Sequence, residues 1–262
     1  MDNYQHHWNT PQSVARYSAA PYLLRGELLA LPLCVPGGLR GRKVLDLGCG
    51  AGRTTHFLRQ MGAIVTGVDL APNLIRAARE RFPDIEFHVG DMAVLDFPAA
   101  SFDMVLVSFN SLDYLYPKEV RLHGLREFWR VLVPGGALCF SHHNLAALFF
   151  GWYRFLRPAK LAFRFRHIVD GSAWKTEAYL PEIEAPGLKT YFGWPRQVAA
   201  DLKSTGFELE HIFPNDPVLW QVQRALRTDF FTRLADPWPY YVCRKPLARG
   251  LPGAKVATEM TD

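Results

Sequence analysis

Val44-Leu45-Asp46-Leu47 is an apolar run that stops at Gly48-Cys49-Gly50-Ala51-Gly52, three glycines spaced two apart, and an amphipathic segment begins at Arg53. The spacing predicts a buried strand, a tight turn and a helix start. Glycines there let the backbone turn sharply and approach a ligand without a Cβ clash. Asp46, two residues ahead of the first glycine, makes the pattern more specific than a generic glycine-rich loop. An acid beside the loop disfavours a phosphate-rich ligand and favours a cationic one.

The chain repeats this unit. Strands are predicted over 43–47, 63–68, 85–89, 102–107 and 137–141, and helices over 52–61, 72–82 and 119–132. Pro72 suits the first turn of its helix. Leu122, Leu125, Phe128, Trp129 and Leu132 form one stripe on the third helix, which Pro134-Gly135-Gly136 stops. Such alternation argues for an α/β fold with a doubly wound, Rossmann-like parallel sheet. The rhythm breaks over residues 145–190, which are aromatic, basic and irregular, although 170–193 reads as β-like strands with turns at Pro181 and Pro186-Gly187. It resumes with a helix over 195–204 and strands over 207–213 and 240–244. Ahead of the core, residues 14–31 read as one amphipathic helix closed by Pro32. The expected organisation is a helical cap (1–35), a ligand-binding α/β core (36–144), a substrate-side insert or lid after the fifth strand (145–194), the C-terminal part of the core (195–246) and a disordered tail (247–262).

With 262 residues, 49% of them hydrophobic, the chain can bury one large core. Its four cysteines lack paired spacing, which argues against a disulfide framework and against a zinc site; no metal is expected. Cys49, Cys139 and Cys243 read as small buried hydrophobes in a reducing compartment. No apolar leader precedes the core and no run of 18 apolar residues occurs, so the chain reads as soluble and cytoplasmic. A net charge of +5 is too small to imply a nucleic-acid partner.

In open α/β sheets ligands bind beyond the carboxyl ends of the strands. The residues at those ends are the glycine loop, then Asp69-Leu70, Asp91-Met92, Ser108-Phe109-Asn110 and His142-His143-Asn144. A carboxylate at Asp69 suits vicinal ribose hydroxyls. Asp91 suits an exocyclic amine such as that of adenine, with Met92 and Leu70 covering the faces of a flat base. Taken singly, Asp69 also reads as a helix cap and Asp91 as a turn residue. Two acids at correctly phased strand ends behind a glycine loop favour the ligand reading.

Val44–Gly52, Val68-Asp69-Leu70, Gly90-Asp91-Met92, Phe102-Asp103-Met104-Val105 and Arg130-Val131-Leu132-Val133-Pro134-Gly135-Gly136 resemble, in order and spacing, the motifs of class I S-adenosylmethionine-dependent methyltransferases acting on small molecules. The likeness runs from about residue 40 to 142, and the helix over 195–204 followed by Gly206-Phe207 extends it. It implies a seven-stranded sheet whose last strand is antiparallel, with S-adenosyl-L-methionine as cofactor and S-adenosyl-L-homocysteine as product. It places Gly48, Gly50 and Gly52, with Asp46 and Cys49 beside them, against the methionine part. Asp69 falls at the ribose, Asp91 and Met92 at adenine, with Leu70 on the other face of the base, and Ser108 and Phe109 on the sulfonium side. An N-terminal helix often folds over the cofactor in this family, which makes Tyr17 a contact. The rival class is a nicotinamide-dependent oxidoreductase, whose fingerprint is G-x-G-x-x-G at a pyrophosphate. This chain has Arg53 three residues after Gly50, and Asp46 would repel a pyrophosphate. A binding protein that keeps the fold without catalysis is a further alternative.

Methyl transfer from a sulfonium is an in-line displacement, so a protein mainly supplies alignment and excludes water. An oxygen nucleophile needs a base or an acceptor for its proton, and an amine must be kept neutral. Candidate bases are Asp113, His142 and His143; His has an ordinary pKa of ~6.5. Neighbouring residues at a strand end point opposite ways, so at most one of the two histidines faces the cleft. Many small-molecule and sugar O-methyltransferases carry a His pair where this chain has Asp113-Tyr114. Asn110 and Tyr114 are acceptor-side candidates. No acid occurs between Glu127 and Asp170, while Arg154, Arg157, Lys160, Arg164 and Arg166 alternate with aromatics. That insert reads either as a substrate cover, with Trp152 and Arg154 as acceptor contacts, or as a small helical subdomain packed on the core. A cover would select an anionic, sugar-bearing or lipid-linked small molecule, and aromatic with basic residues also suits peripheral contact with a membrane surface. The expected activity is methyl transfer, O-methylation ahead of N- and C-methylation.

Overall fold

The computed structural model describes residues 2–18, 22–150, 158–175, 177–181 and 188–247. The elements run α1 (Asp2–Trp8), α2 (Pro11–Ser18), α3 (Arg25–Cys34), β1 (Lys43–Leu47), α4 (Arg53–Gln60), β2 (Ile64–Asp69), α5 (Pro72–Arg81), β3 (Glu86–Val89), β4 (Phe102–Val107), α6 (Lys118–Val131), β5 (Leu132–Ser141), β6 (His143–Asn144), α7 (Ala147–Phe150), α8 (Pro158–Val169), β7 (Glu177–Pro181), β8 (Lys189–Gly193), α9 (Pro195–Ser204), β9 (Glu208–Phe213), α10 (Pro217–Leu226), α11 (Phe230–Ala235) and β10 (Tyr240–Arg244). Short 3-10 turns lie at Ser111–Tyr114 and Ser172–Trp174.

One sheet has seven strands in the order β3-β2-β1-β4-β5-β10-β9, and β10 runs antiparallel to both its neighbours. This is the Rossmann-like α/β sheet expected, with its last strand reversed. The chain order switches between β1 and β4, and that crevice is where such sheets bind ligands. Alternation along β1 sorts its side chains onto two faces. Leu45 and Leu47 join the core built on α6 and α9, with Leu125, Phe128, Val198 and Leu202. Val44 joins the core under α3 and α4, with Leu31 and Leu58. Asp46 shares the face of Val44, which decides its surroundings below.

Three elements depart from the sequence reading. The single helix expected over 14–31 is two, α2 and α3. Leu24 is extended, and the Glu27 carboxylate accepts from its N–H at 2.6 Å, so the helix restarts at Arg25. Pro32 lies inside α3 rather than ending it; the Arg244 guanidinium donates to the carbonyls of Leu33 and Cys34, satisfying the helix end. Pro134-Gly135-Gly136 lies within β5 instead of before it: pairing with β4 jumps from Phe102–Leu132 to Met104–Ala137. A Cβ at Gly136 would stand 2.8 Å from the Val133 carbonyl oxygen, so this kink needs glycine. Within the stretch expected to be irregular, α8 forms over Pro158–Val169, while the β-like reading of 170–193 holds: β7 and β8 lie there and join β6 in a second, three-stranded sheet, β6-β8-β7. Much of the insert expectation, Trp152 and Arg154 included, and the tail beyond Leu247 lie outside the described residues.

Candidate active site

A cavity of about 450 Å³ opens at the switch between β1 and β4, within the range of small-molecule sites. Gly48, Cys49 and Gly50 form one wall, Asp69, Leu70, Asp91 and Met92 the next. Gly48 and Gly50 have φ of +67° and +55°, a region open to glycine at little cost. A Cβ on Gly50 would meet nothing nearer than Tyr17 at 3.9 Å, so the backbone there faces open cavity. Asp69 braces the loop: Oδ2 accepts from Gly50 N at 2.9 Å and Oδ1 from Ala71 N at 2.8 Å. Burial raises its carboxyl, and those two donors partly offset the rise. Asp91 Oδ1 accepts from Ala93 N at 2.8 Å. Across the cavity, α1 and α2 contribute Tyr4, Trp8, Arg16 and Tyr17. Asn9 pins this cap to α5, accepting hydrogen bonds of 2.7 and 2.8 Å from the Asn73 backbone and side-chain amides.

Two residues expected at the ligand are not on the wall. Asp46 is 1% exposed, and its Oδ2 accepts from the hydroxyls of Thr54 at 2.6 Å and Thr55 at 2.7 Å. It sits beneath the first turn of α4 and holds the loop from behind. Burial pushes its carboxyl up to about 6, against the two hydroxyls and Arg53. Gly52 is the left-handed residue that starts α4, and a Cβ there would stand 3.0 Å from the rings of Phe82 and Phe87.

A buried ion pair was not legible in the sequence. Arg53, the first residue of α4, donates through both terminal nitrogens to Glu27 of α3, at 2.8 and 2.5 Å, and to the Tyr22 carbonyl at 2.9 Å. Glu27 is fully buried. It also accepts from the Ser108 hydroxyl, which lies 3.0 Å from the Tyr240 hydroxyl. The Arg53 guanidinium sits 5.1 Å from the centre of the Phe109 ring. One acid thus ties α3, the glycine loop and the ends of β4 and β10 together. The only local trace of it is an acid that opens the apolar run Leu28–Leu31.

The far wall carries Ser108, Phe109, Asn110, Tyr114, Ser141 and His143. Phe109 and Asn110 have φ of +54° and +57°, a conformation that costs non-glycine residues and concentrates at functional sites. The Ser141 hydroxyl accepts from Asn110 N at 2.9 Å and holds that turn. Of the three candidate bases only His143 reaches the cavity. Its Nδ1 lies 2.9 Å from Asp113 Oδ2, which also accepts from His143 N at 2.6 Å. Its Nε2 lies 3.3 Å from Asn110 Nδ2. Asp113 is fully buried behind it; burial pushes that carboxyl up, but His142 and His143 outweigh this and hold it below its ordinary value. His142 packs against the rings of Tyr191 and Tyr241; its Nδ1 lies 3.8 Å from Asp113 Oδ1, neither ring nitrogen has a hydrogen-bond partner among the described residues, and burial pushes its pKa down. Tyr114 meets Trp8 edge-on at 5.3 Å. Tyr116, Asn215, Trp238 and Tyr240 complete the wall. Sequence reasoning missed these four: three follow β9, where no strand-end motif marked them.

With this geometry established, comparison with known proteins assigns the family. A family profile described as a methyltransferase domain matches residues 44–136. The demethylmenaquinone methyltransferase of Deinococcus radiodurans is 30% identical over 185 residues, 65% of this chain and 69% of that protein. That of Renibacterium salmoninarum is 31% identical over 164 residues, 62% of this chain and 63% of that protein. Among curated relatives the matched segments span 39% to 69% of the relatives' own length. A solved structure, the 1,6-didemethyltoxoflavin-N1-methyltransferase of Burkholderia thailandensis with bound 1,6-didemethyltoxoflavin and S-adenosylhomocysteine, shares the fold at a TM-score of 0.60 and 16% identity, covering 94% of this chain and 86% of that one. The chain belongs to the class I S-adenosylmethionine-dependent methyltransferases.

Proposed function

We propose that this protein transfers a methyl group from S-adenosylmethionine to a hydroxyl of a small-molecule acceptor, with His143 as the base. The observation that carries this reading is the Asp113–His143–Asn110 array on the wall opposite the glycine loop. Asp113 accepts from Nδ1–H of His143 and fixes the tautomer, which leaves Nε2 as the acceptor facing the cavity. Asn110 Nδ2 donates to that nitrogen at 3.3 Å and orients the ring, and an incoming acceptor hydroxyl takes its place on the one Nε2 lone pair. An acceptor hydroxyl at Nε2 gives its proton there as its oxygen takes the methyl group, and Asp113 balances the resulting imidazolium charge.

S-adenosylmethionine supplies a methyl group already activated on a sulfonium. The residues present fit it. Gly48, Cys49 and Gly50 would offer bare backbone to its methionine part, Asp69 would take the ribose, and Asp91 would meet adenine, with Met92 and Leu70 on the faces of the base. Ser108 and Phe109 lie toward the sulfonium, and Tyr17 covers it. The ring faces of Phe109, Tyr114 and Trp238 suit a flat acceptor, and the relatives named for demethylmenaquinone support a small-molecule one. An anionic, sugar-bearing or lipid-linked acceptor suits the basic insert.

Calorimetric titration with S-adenosylmethionine, S-adenosylhomocysteine and NADH tests the donor; binding of NADH alone would overturn it. Transfer of labelled methyl to a panel of hydroxylated aromatic acceptors tests the base. His143→Ala should lower turnover about 10²–10⁴-fold at saturating donor while S-adenosylhomocysteine affinity is kept. Equal turnover would remove His143 from the mechanism and leave an N- or C-methyl acceptor.

A further inference from the structure

The outer end of the insert serves no part of the site described above. α8 turns His167 inward, at 3% exposure, and Ala162, Phe165, Arg166 and Val169 outward. Phe165 and Val169, one turn apart, are 68% and 69% exposed. Beyond α8 the chain closes a tight knob. Ser172 N donates to Asp170 Oδ1 at 2.9 Å, the Ser172 hydroxyl lies 2.8 Å from His167 Nδ1, and Trp174 Nε1 donates to the Ile168 carbonyl at 3.0 Å. The last bond ties Trp174, itself 69% exposed, back to the C-terminal end of α8. The Trp174 ring also meets Phe149 at 4.9 Å, and Phe150 next to it is 46% exposed.

Water does not favour an apolar face held out in this way by internal hydrogen bonds. Charge says what covers it. No acid occurs from Phe128 to Val169, Arg166 and Lys175 are exposed at the rim, and Asp170 is engaged with His167 and Ser172. Aromatic and aliphatic side chains with cations at their rim match the boundary between acyl chains and anionic headgroups, where tryptophan is favoured.

We propose that this face docks the protein peripherally on anionic membrane lipid. Phe165, Val169 and Trp174 enter the headgroup boundary, and Arg166 and Lys175 pair with lipid phosphates. No helix among the described residues is long and apolar enough to cross a membrane, so the contact lies in the surface plane. The proposal does not depend on which acceptor the cavity takes.

Co-sedimentation of the full chain with vesicles of phosphatidylcholine, with and without phosphatidylglycerol, tests it. Partition should require phosphatidylglycerol and fall as salt rises. Phe165→Glu with Val169→Glu should weaken it more than about ten-fold. Arg166→Gln and Lys175→Gln should each weaken it about five-fold. All variants should keep S-adenosylhomocysteine binding by calorimetry, since none of these residues lines the cavity. Absence of partition, equal partition on both vesicles, or an unaltered double glutamate variant would overturn the proposal. So would light scattering that shows a dimer dissolved by Phe165→Glu, because the face would then belong to a second copy.

Discussion

Asp46→Asn separates the two readings of the acid beside the glycine loop. As a ligand contact, Asp46 would govern donor affinity; as a brace beneath α4, it governs stability and its pH dependence. Its carboxyl is raised from 3.8 to about 6 by burial. A raised carboxyl contributes stability that is fully present below the unfolded value and is lost as pH rises through the folded value. The window is therefore pH 3.8 to about 6, and 2.2 units correspond to about 3 kcal/mol in all. About 1.4 kcal/mol of that falls between pH 5 and 7.5 by the linkage relation. An Asn side chain accepts from the threonine hydroxyls and does not titrate. The difference in stability between wild type and Asp46→Asn should therefore shift by about 1.4 kcal/mol across that range, in favour of the variant at the higher pH, or roughly 3–6 °C in Tm. Thermal melts of both proteins at half-unit pH steps read it directly. S-adenosylhomocysteine affinity should change little. Parallel Tm curves, or a large loss of affinity with parallel curves, would refute the brace.

Three further outcomes follow from the packing. Glu27→Gln leaves the Arg53 guanidinium buried without its counter-ion and should cost about 3–5 kcal/mol by denaturant titration, whereas an exposed change such as Glu119→Gln should cost almost nothing. Gly67→Ala puts a Cβ 2.6 Å from the Phe87 ring and 3.0 Å from Cys49 Sγ, and should cost about 1–3 kcal/mol while loosening the loop from behind. Asp113→Asn removes a carboxyl held below its ordinary value, whose contribution is present above the unfolded pKa and lost as pH falls through the folded one. The stability gap to wild type should stay level from pH 5 to 8 and close only below about pH 4, as measured by urea melts.

The sheet was legible because its strands end in residues that no helix or loop demands. Lys43–Leu47, Phe102–Val107 and Tyr240–Arg244 fall where the apolar runs put them. Strand-end reasoning also brought Asp69, Asp91, Ser108, Phe109, Asn110 and His143 to one cavity, because each is a fixed number of residues past a buried run. It put Asp46 on the cavity, but that residue lies inside a strand: the two-residue period of β1 turns it to the face of Val44, under α4 and off the cavity wall. It could not separate His142 from His143, since alternation says that one points in but not which. That choice rests on Asp113, thirty residues away, whose carboxylate takes both the N–H and the ring of His143. Glu27 and Trp238 escaped because their partners are long-range and carry no local period.

The discrimination against a pyrophosphate, first ascribed to Asp46, rests on other groups. A dinucleotide loop works by pointing free N–H groups at phosphate. Here Gly48 N and Cys49 N both donate to the Val68 carbonyl, Gly52 N donates to the Cys49 carbonyl, and Gly50 N donates to the Asp69 carboxylate. Four loop donors are therefore spent within the protein, and the last is covered by a negative group on the cavity wall. Arg53, the cation nearest the helix start, has its charge balanced by Glu27. A phosphate at this turn would meet a carboxylate, spent donors and a neutralised guanidinium, whereas a cationic group beside Gly50 would meet the Asp69 carboxylate. If the loop selects by withholding hydrogen bonds, Asp69 on the cavity wall, rather than the buried Asp46, is the residue whose removal should relax that choice. Asp69→Asn should weaken S-adenosylhomocysteine binding at the ribose and at the same time lessen the exclusion of anionic nucleotides. A variant that loses the first without changing the second would mean that shape, rather than charge, excludes the pyrophosphate.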